Sequence, residues 1–262
     1  MSKTKIALFS ILTICILAVA IFATLLIREL IIDRQSRSFF DDLASEVERR
    51  PGNDGADGAH SGQTGTEGEQ PGSITWEPYV DFAALNNSFP GVVGWIKLDN
   101  TPIDYPVMQY SNNDYFLTHL PDGTEHRNGS IFLDYRNKSD FSDKSILIYG
   151  HHTRTGDMFG VLREYRNRDF YGQNPVMYLH TPETDYMIVI FAGHVADSVL
   201  DHPPMHFGSD AEFLTYVNHL KSISVFRSDV EVTASDRIVS LVTCTYDFND
   251  ARLIIVGILL EL

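Results

Sequence analysis

From Val92 to its C-terminus the chain is written in short apolar bursts separated by turn residues. Eight of these are rich in β-branched and aromatic side chains: "VVGWIKL" from Val92, "PIDYPVMQ" from Pro102, "GSIFLDY" from Gly129, "SILIYGH" from Ser145, "PVMYLHT" from Pro175, "DYMIVIFAGHV" from Asp185, "RIVSLVTCTY" from Arg237 and "RLIIVGILLEL" from Arg252. Runs of this length, bounded by Gly, Pro, Asn and Asp, are strands, and so many of them predict a mainly β barrel or sandwich. Helical periodicity is confined to "DYFLTHL" from Asp114, "MFGVLREY" from Met158 and "SDAEFLTYVNHLKSI" from Ser209. In the last of these Ser209 can cap the helix, and Phe213, Val217 and Leu220 share a face.

The front of the chain obeys other rules. After "MSKTK" no charge occurs from Ile6 to Ile27, a run that as a helix reaches about 33 Å at 1.5 Å per residue, enough to cross a bilayer. "AVA" from Ala18 mimics a cleavage site, but the apolar core of a removed signal is only about 7–15 residues long, so the run reads as a retained anchor. Lys3 and Lys5 on one side nearly balance Arg28, Arg34 and Arg37 on the other, softened by Glu29 and Asp33, so charge bias alone leaves orientation open. Behind the anchor Ile32, Phe39, Phe40, Leu43 and Val47 recur at helical spacing, with "SFFD" from Ser38 as a weak capping box; a short juxtamembrane helix and a plain spacer both fit. "PGNDGADGAHSGQTGTEGEQPGS" from Pro51 holds too little apolar surface to offset its ordering entropy and reads as a flexible tether.

The expected organisation is an N-terminal segment 1–5, a transmembrane anchor 6–27, a juxtamembrane helix 28–50, a linker 51–75 and one globular domain 76–262, long enough for a sizeable core. With 35 Asp and Glu against 20 Lys and Arg, and a net charge of −15, the chain offers no basic face for nucleic acid or an anionic membrane surface.

Chemistry gathers at strand ends. "SILIYGH" is apolar until Gly150 and His151, and "RIVSLVTC" until Cys244, the only cysteine outside the N-terminal apolar run. Parallel pairing of these two strands brings their C-terminal ends together, and the long connection between them is what parallel pairing requires. A hairpin through "TYDFNDA" then returns Arg252 to the level of Cys244. A thiolate nucleophile, an imidazole base and a guanidinium for a developing oxyanion suffice for acyl transfer without metal or cofactor. The competing role for Cys244 is apolar core filler, although a leftover thiol in an exported domain invites oxidation unless it has a use. The pattern alone does not name the imidazole: His152 is adjacent to His151 and would point the opposite way, and His194 closes another strand. His202 and His206 in "HPPMH" have the spacing of a metal pair on a helix, which Pro203 and Pro204 spoil. Arg154, Arg163, Arg166 and Arg168 read as a solvated helix face.

"LVTCTYDFNDAR" resembles the TLxTC motif followed by arginine of the sortases, the membrane-anchored cysteine transpeptidases of Gram-positive bacteria, and "LIYGHHTRTGDMFGVL" resembles their YGH segment. The step from Cys244 to Arg252, the "YDF" after the cysteine, and the blocks "NNDYFLTHL" and "GSIFLDYRN" are most similar to class B. The resemblance covers residues 76 to 262 and implies an eight-stranded β-barrel with a helix between the sixth and seventh strands. It implies Cys244 as nucleophile on the threonine carbonyl of a C-terminal sorting signal, His151 as general acid/base and Arg252 as holder of substrate carbonyls or the oxyanion. Asn113, Leu117 and Tyr149 match positions near the bound peptide. The implied partners are a sorting-signal peptide of a surface protein or pilin and a cell-wall or pilin amine, with no cofactor. The implied setting is a single-pass cell-membrane protein, N-terminus cytoplasmic and a monomeric domain outside. Val242 and Thr245 depart from the family pattern beside the cysteine, which bears on peptide preference.

Two other functions use the same residues. A thiol hydrolase of protein or peptidoglycan would release the acyl group to water, but papain-like and amidase folds place cysteine before histidine, the reverse of His151 and Cys244. A non-catalytic surface-binding module would keep Cys244 as core.

Overall fold

The computed structural model describes residues 3–48, 80–197, 202–244 and 251–262, the side chains of residues 3–10, 48 and 244 excepted. The linker expected at 51–75 and most of the loop between Cys244 and Arg252 lie outside the described residues. The chain divides into two compact units with their boundary between Asp41 and Asp42.

A single helix, α1 (Lys3–Glu48), dominates the first unit. From Ile11 to Ile27 its exposed side chains carry no charge and are mostly apolar all around the helix, a surface suited to lipid rather than water. It is long and apolar enough to cross a membrane, with a mean hydropathy of 2.6 in its most apolar window. The cap expected at Ser38 is not used, because α1 runs through it without a break. No glycine or proline occurs between Ile6 and Arg50, so nothing interrupts the backbone hydrogen-bond ladder.

The second unit is a closed barrel of eight strands: β1 (Val92–Lys97), β2 (Asp104–Met108), β3 (Ile131–Leu133), β4 (Ser145–Tyr149), β5 (Val176–His180), β6 (Asp185–Asp197), β7 (Arg237–Cys244) and β8 (Ala251–Glu261). All eight apolar bursts are strands, in the order β1-β2-β3-β4-β7-β8-β6-β5, and β5 closes back on β1. Most neighbours are antiparallel; β2 with β3 and β4 with β7 are parallel. β8 pairs β6 on one side from Ala251 to Glu261 and β7 on the other from Arg252 to Leu259. Its near-continuous apolar sequence follows from burial on both faces: Leu253 and Ile255 are fully buried, while Ile254, Val256 and Ile258 share a core with the helix outside the barrel.

That helix, α4, follows two short ones, α2 (Phe82–Ser88) and α3 (Arg168–Gln173), which the sequence pattern did not single out. In α4 (Asp210–Ile223) the Ser209 side chain accepts from Glu212 N at 3.2 Å, as expected of a cap, and Phe213, Val217 and Leu220 are buried. "DYFLTHL" and "MFGVLREY" form only 3₁₀ turns, Tyr115–Leu117 and Gly160–Arg166. Pro121 disfavours helical geometry at Leu120. The left-handed Met158 (φ +53°) and the extended Asn167, whose side chain caps α3, bound the second turn on either side. Arg154, Arg163, Arg166 and Arg168 are exposed, as read, though not on one helix face: Arg163 and Arg166 lie on the 3₁₀ turn, Arg154 in the loop before it and Arg168 at the start of α3. Within the second unit Leu43 and Val47, on the last turn of α1, are buried and lie beside Asp81 and Leu85.

Phe213 is fully buried, with the Lys144 ammonium 4.2 Å from its ring centre. Phe213→Ala should cost about 3–5 kcal/mol in chemical denaturation at an unchanged m-value; a cost near zero would mean that α4 does not anchor the β6–β8 face.

Candidate active site

β4 and β7 run parallel in register from Ser145 opposite Ile238 to Tyr149 opposite Val242, and Gly150 N extends the pairing by donating to Val242 O at 3.1 Å. β8 returns antiparallel with Arg252 opposite Cys244. Three adjacent strands therefore deliver His151, the backbone of Cys244 and Arg252 to one end of the barrel, as the strand pattern predicted. A cleft of about 420 Å³ opens there. His151, Arg252, Asn113, Leu117 and Tyr149 all line it, beside Val242 and Thr243 of the strand that ends at Cys244.

Only glycine fits between Tyr149 and His151, because a Cβ at Gly150 would run into the side chains of Ile131 and Phe159. The backbone thus leaves β4 against the barrel core and sets His151 at the cleft wall. The His151 imidazole is half-buried and its Nε2 lies 2.7 Å from the carbonyl oxygen of Leu117. A carbonyl only accepts, so Nε2 carries the proton and the neutral ring keeps its lone pair on Nδ1. Leu117 ends the Tyr115–Leu117 turn, which is held by Asn112 Oδ1 accepting from Asp114 N and Tyr115 N at 2.9 and 3.0 Å. Ser130 N donates to Phe116 O at 2.9 Å. This approach needs Gly129, at φ +51°, where a Cβ would collide with the carbonyls of Phe116 and Leu117.

A buried carboxylate organises another part of the cleft lining. Asp134, fully buried just after β3, accepts two side-chain bonds from the Arg136 fork at 2.8 and 2.7 Å, one from Asn113 Nδ2 at 3.0 Å and one from the Tyr149 hydroxyl at 3.1 Å. Burial alone would push this carboxyl up, but the hydrogen bonds from Arg136 and Asn113 outweigh it and hold Asp134 below the usual carboxylate range. Burial, and then the negative charge of Asp134, push the Tyr149 phenol well above its ordinary range, so it stays a neutral donor. Its ring stacks on Phe132, which also lines the cleft. Arg252 is half-buried and Nη1 donates to Ala251 O at 3.1 Å, a contact that uses one of five guanidinium N–H groups.

Among the other histidines, His152 is half-buried, pairs with Met158 and is not part of the cleft lining. Burial, then Arg163 and Arg166, push its imidazole below the ordinary value. His194 is buried within β6, also away from the cleft lining. His202 does line the cleft, with Pro203, whereas His206 does not. Sequence reasoning did not single out Asp134, Arg136 or Phe132; the available signal was an acidic residue directly after a short, wholly apolar strand.

No protein-family model matches the sequence. Two proteins named sortase B are similar to it. That of Listeria monocytogenes is 37% identical over 179 residues, covering 68% of this chain and 72% of that protein. That of Staphylococcus aureus is 31% identical over 178 residues, covering 67% and 73%. Among solved structures, the S. aureus sortase B–substrate complex superposes with a TM-score of 0.75 at 25% identity, over 88% of this chain and 99% of that one.

The Leu117 contact makes a spectroscopic prediction. With the ring neutral, ¹⁵N-resolved NMR of His151 should report the Nε2–H tautomer, and a dominant Nδ1–H signal would show that Leu117 O does not hold the ring in solution.

Proposed function

The chain belongs to the class B sortases, cysteine transpeptidases, and from that premise we propose that it cleaves a C-terminal sorting signal after threonine and transfers the protein to a cell-wall or pilin amine. The observation that carries this reading is the convergence of His151, Arg252, Asn113, Leu117 and Tyr149 on one cleft, at the end of the strand where Cys244 pairs with Arg252. A substrate complex of the S. aureus relative supports peptide binding in a barrel of this kind.

In this mechanism the Cys244 thiolate attacks the threonine carbonyl carbon, and the carbon–oxygen π electrons move onto oxygen. The Arg252 guanidinium donates to that oxyanion, in the manner of an oxyanion hole. Collapse breaks the carbon–nitrogen bond, and His151, protonated at this stage, gives the Nδ1 proton to the departing amine, Nε2 being engaged by Leu117. A thioester to Cys244 remains. The incoming amine loses a proton to Nδ1 and attacks the thioester carbonyl, the carbon–sulfur bond breaks, and the new amide leaves with the thiolate restored. Asn113, Leu117 and Tyr149 hold the peptide across the cleft.

The same reading extends to topology. Residues 6–27 would anchor the chain in the cell membrane with the N-terminus cytoplasmic, and residues 28–50 would leave the membrane. The linker 51–75 would carry a monomeric catalytic domain, 76–262, on the outer face. The long apolar helix supports the anchor.

The test is mass spectrometry of the detergent-solubilised chain with fluorescence-quenched peptides in which threonine precedes the scissile bond and other positions are randomised, with and without an amine acceptor. Amine-dependent ligation products are expected; release of free acid alone, whatever the amine, would identify a hydrolase. Cys244→Ala should abolish cleavage with little change in thermal midpoint, whereas loss of fold would point to a core cysteine. His151→Ala should reduce turnover by orders of magnitude and His152→Ala far less; the reverse order would assign the proton transfers to His152.

Arg252→Lys separates geometry from charge. Directed hydrogen bonding from the guanidinium fork predicts a loss of roughly 10²–10³ in turnover, the scale of one oxyanion donor. Near-normal turnover would instead leave Arg252 only the role of a positive charge beside the thiol.

A further inference from the structure

We infer that Asp134 is a positioning residue for the peptide: its buried carboxylate fixes Asn113 as a hydrogen-bond donor and Tyr149 as an acceptor on the cleft wall. The inference rests on the reading of this cleft as the peptide site.

One carboxylate oxygen carries the arrangement, since Asp134 Oδ2 accepts from Asn113 Nδ2, from the Tyr149 hydroxyl and from Arg136 Nη2. The other end of the Asn113 amide is also engaged, with Oδ1 accepting from Tyr135 N at 3.0 Å. Flipping that amide would set Oδ1 against the carboxylate and the NH₂ against a backbone donor, so Asp134 admits one orientation only. One N–H of Asn113 is spent on Asp134, which leaves the second as a donor. Tyr149 has a single hydroxyl proton, and Asp134 takes it, so any further hydrogen bond of this oxygen is one it accepts.

Both residues line the cleft, whose wall thereby presents one donor and one acceptor held by a common anchor. That pair is the complement of a peptide group, C=O to Asn113 and N–H to Tyr149. It reads the backbone of an extended peptide irrespective of side chain. Arg136 completes the device, because its fork covers Asp134 with charge-assisted bonds and keeps a wholly buried carboxylate ionised. With a neutral amide in place of Asp134 the Tyr149 hydroxyl is free to rotate and Asn113 to flip, and the wall loses its fixed polarity.

The experiment is a double-mutant cycle in the full chain in detergent, using the best-cleaved member of the randomised threonine-containing peptide library. Asp134→Asn should raise KM roughly tenfold or more, the scale of one or two hydrogen bonds to a charged group, with a smaller change in kcat. Iodoacetamide alkylation of Cys244, which needs no peptide site, should stay within about twofold of wild type. Added to a variant that already carries both Asn113→Ala and Tyr149→Phe, Asp134→Asn should change KM little, because the two contacts that Asp134 holds are already gone. Additive effects, or a wild-type KM in the Asp134→Asn variant, overturn the inference. If that variant does not fold, Arg136→Lys, altered only at a half-exposed side chain, reads the same coupling, and an unchanged KM there sinks the idea. The two levels separate cleanly: Cys244→Ala retaining cleavage defeats the reading of the site itself, whereas an inactive Cys244→Ala beside an unaffected Asp134→Asn defeats the role of Asp134 alone.

Discussion

Between Ser145 and Tyr149 the chain pairs in parallel with Ile238 to Val242, a partner far away in sequence, and the site depends on that pairing. Parallel neighbours end on the same side, so His151 and Cys244 leave the sheet together instead of at opposite ends of the barrel. The antiparallel return of β8 then brings Arg252 opposite Cys244. The connection that parallel pairing demands contains β5, β6 and α4. It closes the barrel on β1 and covers the β6–β8 face with Phe213, Val217 and Leu220. Hydrophobic burial along β8, from both faces, holds the register on which the site rests.

Against this apolar frame the mouth of the barrel is costly to build, since a buried carboxylate is tolerated only when charge and hydrogen bonds compensate its desolvation. Asp134 meets that condition by accepting five hydrogen bonds, from Arg136, Asn113 and Tyr149. The His151 contact uses backbone rather than charge: the turn ending at Leu117 offers a carbonyl to His151, and Gly129 and Gly150 allow the close approach at each end of that contact. The cleft thus has a rigid polar wall, and an imidazole held by one nitrogen with the other available for proton transfer.

Much of this was legible in the residues. All eight apolar bursts are strands because β-branched runs between turn residues have few other packed conformations, and the α4 pattern survives because Ser209 caps it and its buried stripe is continuous. The short segments misled for local reasons: "DYFLTHL" stops at one turn before Pro121, and "MFGVLREY" is bounded by a left-handed Met158 and an extended Asn167. The residues at helical spacing from Ile32 to Val47 lie within α1, yet Ser38 begins nothing, because a cap has no role inside a helix that runs through it.

Sequence by itself determined the eight-stranded composition of the domain, the apolar N-terminal helix and the presence of Cys, His and Arg at strand ends, since period and turn chemistry act over a few residues. Only tertiary structure decided which histidine lines the cleft: His151 and His152 are chemically identical neighbours, and they differ because Gly150 packs against Ile131 and Phe159 while the Leu117 carbonyl receives the first ring. The same holds for Asp134, Asn113 and Tyr149, whose meeting at one carboxylate oxygen is a product of strand order, a long-range property that no local pattern encodes.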